Sequence, residues 1–151
     1  MVEVVWLGVH DGALTYRASR AALGADEPPD IAARALAGDD ASSAPPALLH
    51  STSWRYEHGL VVLTYAAACD PTPHHGRLLS PVPPARSDDL LAPCPPAVTV
   101  AQVAAHACRH LAMLHATDRQ IAGCAADAPQ FWQLIATHEA VPAGELLSQG
   151  R

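Results

Sequence analysis

Two histidines one helical turn apart, His106 and His110 in "HACRH", are the first residues here whose types and spacing could do chemistry. Side chains at i and i+4 share a helix face, where two imidazoles can ligate one metal ion. Further donors would have to come from His50, His74, His75 or His138, in a chain with nine histidines. Two features oppose this: no Glu fills the general-base place of H-E-x-x-H, and Arg109 sets a cation beside the two rings. The expectation is boundary histidines hydrogen-bonded to strand or loop partners, with no metal and no cofactor. His106, Arg109 and His110 remain candidates for ligand binding.

The stretch "HSTSWRYE" is the second constellation. In an extended strand His50, Thr52, Trp54 and Tyr56 share one face, while Ser51, Ser53, Arg55 and Glu57 share the other. The first four form either a pocket for a small planar ligand or plain core, and the polar four turn toward water or a ligand. Ser51 and Ser53 stand within a strand rather than on a sharp strand-to-helix elbow between glycines, so a nucleophilic triad is not supported.

The elements that must hold these groups follow from pattern. "VEVVWLGVHDGALTYRA" reads as two strands joined by Asp11-Gly12, because a type I′ turn needs positive φ at both central residues. A second hairpin turns at His58-Gly59, and its return strand, apolar on both faces, is expected to be central and covered on both sides. "VTVAQVAAHACRHLAMLHATD" opens with Thr99 and Gln102 as a capping box and Val98 placed to staple onto Val103. Val100, Val103, Ala104, Ala107, Leu111 and Leu114 make its apolar stripe. A last helix is expected from about Asp127, with Gln130 in the reciprocal capping position. The expected strands span 2–10, 13–18, 48–57 and 60–68, and the expected helices 28–37, 99–116 and 128–138.

That order is α+β: a mixed β-sheet built from two hairpins, packed by a long helix and a C-terminal helix. With 151 residues, a single domain is expected over 1–151. Within it, 69–97 is a Pro-rich connecting segment that carries more than half of the fourteen prolines and drapes over the sheet.

Composition narrows the function classes. Apolar residues make up 50% and charged ones 16%, as in a globular chain. All nine bases are Arg and none is Lys, a bias that GC-rich bacterial-type coding produces without any functional cause. A net charge of -6 has the wrong sign for a polyanionic partner, so nucleic acid is not expected. Cys69, Cys94, Cys108 and Cys124 are too far apart for zinc knuckles, and no apolar stretch is long enough to span a membrane. With no secretory leader legible, the expectation is a soluble, cytoplasmic chain with free thiols.

The stretch "DEPPDIAARALAGDD", Asp26 to Asp40, remains. Pro28 and Pro29 suit a first helical turn, and Gly38 ends a short helix. It resembles the box of the Nudix family, G-x5-E-x7-R-E-U-x-E-E-x-G-U, where U is a bulky apolar residue. Asp26 stands for the first Glu, Arg34 for the Arg and Leu36 for the apolar residue. Ala35, Gly38 and Asp39 stand where the family has Glu, and Arg20 where it has the leading Gly. The resemblance implies a Nudix-like α/β/α sandwich. It also implies membership of the class that has lost catalysis and kept a pocket, since magnesium needs several well-ordered oxygen ligands.

Two functions stay open. The favoured one is a non-catalytic domain that binds a small molecule or serves as an accessory module for a protein partner, a homodimer included. The alternative is an enzyme, either a divergent hydrolase of a phosphate linkage or a small catalyst using His50, His106 or His110 as base. Arg34 joins the ligand-binding candidates, with an intramolecular pair to Asp26 or Asp30 as its plainer role.

Overall fold

The structure, a computed structural model, describes residues 1–38, 46–85, 87, 89, 91, 95 and 97–142. Asp39 of the Nudix-type box and Cys94 lie outside the described residues.

Both expected hairpins form. β1 (Val2–His10) and β2 (Ala13–Ala21) turn through Asp11 and Gly12, with φ of 49° and 77°. β3 (Leu48–Glu57) and β4 (Leu60–Ala68) turn through His58 and Gly59, with φ of 50° and 81°. Positive φ at both central residues gives the turn a twist that matches the strands. Between the hairpins runs α1 (Pro29–Gly38). The chain then crosses so that β1 and β4 pair in parallel, Val2 opposite Leu63 and Leu7 opposite Ala68. With β5 (Arg77–Leu78) the sheet has five strands in the order β3-β4-β1-β2-β5. The expected α+β architecture is the observed one. β1 is the middle strand, though, and β4 lies beside it; Leu60 and Val61 at the start of β4 are exposed and only Val62 onward is covered.

β1 is apolar on both faces because both are covered. Val2, Val4 and Trp6 pack with Ala32, Ala33 and Ala37 of α1. Val5 and Leu7 face the opposite layer, α2 (Val100–Thr117) and α4 (Pro129–Ile135), where Val103, Ala107, Leu111, Phe131 and Ile135 are buried. The result is three layers, α1, sheet, then α2 with α4. No helix among the described residues is long and apolar enough to cross a membrane.

α2 begins as its sequence dictates. The Thr99 side chain accepts from the Gln102 N–H, the Gln102 side chain accepts from the Thr99 N–H, and Val98 packs on the core that contains Val103. Thr99→Ala should cost about 1 kcal/mol, read as a lowered melting temperature with an unchanged spectrum. The next elements depart from expectation. Asp118 caps an additional short helix, α3 (Arg119–Cys124), by accepting from Gln120 and Ile121 N–H groups. The last helix starts on Pro129, not Asp127, has no side-chain cap, and stops at Ile135. Proline at the first helical position needs no donor satisfied, so the Gln130 capping bond is dispensable.

Candidate functional site

The aromatic face expected on β3 is broken by one residue. Ser51 pairs with Tyr65 and Ser53 with Thr64, so Thr52 is bulged out of register. Because side chains alternate with a period of two, one inserted residue moves every later side chain to the opposite face. His50, opposite Ala66, faces α2. Beyond the bulge it is Ser53, Arg55 and Glu57 that face α2. Trp54 and Tyr56 turn to the α1 side and stand 63% and 60% exposed. The pocket of His50, Thr52, Trp54 and Tyr56 is therefore not formed.

The flip also buries charge that an unbroken strand period would place toward water. Glu3 is fully buried. It accepts from Arg55 at 2.8 and 2.9 Å, from Arg20 at 2.7 Å and from the Thr64 hydroxyl at 3.1 Å. Glu57 closes the network by accepting from both arginines. Burial pushes the Glu3 carboxyl up, but the bonds and charges of Arg55 and Arg20 outweigh it and hold the group below its ordinary value. Two cations and two anions saturate one another, which makes this a structural network.

Five of the eight expected ligand-binding residues do come together. His50 of β3 stacks on His110 of α2, with ring centroids 5.4 Å apart and planes at 22°. His110 is only 5% exposed, lies against the Val141 backbone, and keeps its Nδ1 without a partner among the described residues. His106, one turn earlier, lies against the backbone at Thr52, the bulged residue. Arg109 pairs with Glu139 at 2.9 Å, and its carbonyl accepts from Val141 N–H. His110 is thus more deeply buried than a boundary residue. His74 and His75 lie elsewhere, their rings 4.1 Å apart beside His10. Among the described residues no three His, Cys, Asp or Glu side chains are placed to hold a metal ion.

The Nudix-type positions are dispersed. Asp26 and Arg34 are exposed, Leu36 of α1 packs against the cluster of Val2, Val4 and Trp6, and the Asp30 carboxylate accepts from the Tyr65 hydroxyl. Arg34 lies on the face of the sheet away from the histidines, so it shares no site with them.

A second site was not legible in the motifs. At the carboxyl ends of the parallel pair β1 and β4 lies a cavity of about 260 Å³, lined by Gly8, Val9, Cys69, Asp70 and residues 128–131 at the start of α4. Such ends are where open sheets with parallel strands place ligands. A Cβ on Gly8 would lie 2.8 Å from Cβ of Pro73 and 2.9 Å from that of Asp70, so only glycine allows this close approach. Asp70 is buried and accepts from Arg17 at 2.8 and 3.0 Å and from Thr72 N–H at 3.0 Å, while the Arg17 guanidinium lies 4.5 Å from the Trp6 ring centre. Cys69 holds φ of 66°, a strained value for a residue with a side chain. Burial, with a smaller contribution from Cys124, pushes its thiol up. The thiol therefore stays protonated at neutral pH and the carboxylate is already satisfied. The geometry suits holding a molecule better than attacking one. In the sequence, a glycine inside the apolar run "VVWLGV" was the only signal.

No protein-family model matches the chain, and neither a curated protein nor a solved structure is significantly similar to it.

Proposed function

We propose that this chain is a non-catalytic domain that binds a small, mostly apolar molecule in the cavity at the carboxyl ends of β1 and β4. The observation that carries the proposal is that cavity itself, bordered by Gly8, against which Asp70 and Pro73 pack closely, and by a thiol and a carboxylate with no base among the lining residues. Its lining, with Val9, Cys69 and Phe131 beside the polar Gln130, suits a compact ligand with one or two hydrogen-bonding groups. The likeness to Nudix domains belongs to the same proposal, as a layout that keeps a pocket and lacks the acids of the box. A cytoplasmic location fits the free thiols Cys69, Cys108 and Cys124.

The test is a ligand-observed fragment screen followed by amide-shift mapping. Binders should perturb Val9, Cys69 and Phe131 and slow alkylation of Cys69, and the exposed substitution Gln130→Trp should weaken them. Binders that map elsewhere, or none at all, would sink the reading. With magnesium or manganese added, nucleoside diphosphate derivatives should turn over no faster than in buffer. Turnover that Asp39→Ala abolishes would establish the divergent hydrolase instead.

A second reading, an accessory domain for a protein partner, rests on Trp54 and Tyr56 exposed beside Val61 on the β3–β4 hairpin. Trp and Tyr are enriched at interfaces, and β3 is an edge strand. Its simplest form is a homodimer, and light scattering that shows a monomer at every concentration removes that form.

A further inference from the structure

We propose that His106, His110 and His138 form a proton-operated latch that holds segment 136–142 on α2 at neutral pH and releases it in mild acid. The segment is tied to α2 at Arg109 and His110. The Val141 N–H donates to the Arg109 carbonyl, the Val141 side chain is buried, His110 lies against the Val141 backbone, and Glu139 pairs with Arg109. On the other side His110 is stacked against His50 of β3. His50 and His110 therefore meet between the strand and the helix, with His106 one turn earlier on α2 and His138 within reach of the Arg109 charge in the segment that follows α4.

The charges around these histidines are unbalanced. From α2 come His106 and the cation Arg109, from β3 comes His50, and from the segment come His138 and Glu139. Glu139 is the one carboxylate among these groups, and it is already paired with Arg109. Protonating His106, His110 or His138 therefore adds a cation beside a cation in a half-dry site. Burial, then the charges of His50 and His106, hold His110 below its ordinary value of 6.5. Burial also lowers His106 and His138, and the Arg109 charge lowers both further.

A histidine lowered in the closed state binds its proton more readily when the segment is open. The closed state is thus fully favoured above the ordinary imidazole value and loses ground as pH falls from there toward the lowered one. α2 itself is anchored by Val103, Ala107 and Leu111. The segment, held by fewer buried groups, opens first.

The experiment is hydrogen exchange read by mass spectrometry at about pH 7.5 and about pH 5.5, either side of the ordinary imidazole value, with intrinsic rates corrected. Protection of residues 138–141 should fall by up to about 10-fold at the lower pH, the limit for one imidazole that titrates at its ordinary value once the segment is open and stays neutral while it is closed. β1 should stay protected. His110→Phe, which keeps a flat ring against His50, and separately His138→Gln at a half-buried position, should each reduce that response. Equal protection of the segment at the two pH values overturns the latch. So does an undiminished response in both variants, or simultaneous loss of protection in β1.

Discussion

Arg55→Ala is expected to destabilise the fold by about 3–5 kcal/mol, the cost of leaving a buried charge without its partner. Glu3 has no exposure and takes two of its bonds from Arg55. Arg20 would keep one bond to it, at 2.7 Å, but Arg20 is partly exposed and shared with Glu57. Denaturant unfolding of wild type and variant measures the loss. The double replacement Glu3→Leu with Arg55→Leu should recover most of it, since an apolar pair is often no worse than a buried ion pair. A single variant as stable as the wild type would mean that the network is ornamental. The pH profile gives an independent check. Hydrogen bonding from Arg20, with Arg55 adding to it, lowers the Glu57 carboxyl from 4.5 to about 2, and Glu3 is lowered as well. Carboxylates lowered in the folded state stabilise it above their unfolded value and stop doing so as pH falls through the folded one. Wild-type stability should therefore drop between about pH 4.5 and 2, and Arg55→Ala should flatten that drop.

Leu111→Ala should cost about 2–5 kcal/mol, near the upper end. Leu111 is fully buried where α2 meets the sheet, in one cluster with Val5, Leu7, Phe131 and Ile135. Many of the other cluster members, Ala66, Ala68, Ala104 and Ala107, are alanines. Short side chains on rigid strands and helices cannot swing into a hole, so the space left by the isobutyl group persists. Thermal unfolding with an unchanged dependence on denaturant is the expected signature. An unchanged melting temperature would place the residue outside the core.

The local elements of this protein were legible because their causes are local. Asp11-Gly12 and His58-Gly59 accept the two positive φ angles that a tight hairpin demands, and Thr99 with Gln102 satisfies the first donors of α2 within four residues. The apolar stripe from Val103 to Leu111 then told which side of that helix is buried. α3 has its cap, Asp118, in the sequence, but six residues are too few for a helical period to show.

The candidate sites depended on contacts between distant residues. The sequence by itself determined that His106 and His110 share a helix face, and that His50 and Thr52 belong to a strand with Trp54 and Tyr56. Only the tertiary structure decided that Thr52 bulges, which left His50 stacked on His110, turned Trp54 and Tyr56 outward and buried Arg55 on Glu3. A bulge comes from how β3 must meet β4 and α2 together, and a period-two pattern carries no mark of it. Likewise the cavity beside Cys69 exists because β1 and β4, some sixty residues apart, end side by side in parallel. That pairing is settled by the packing of both sheet faces at once, a property of the whole chain rather than of any stretch within it.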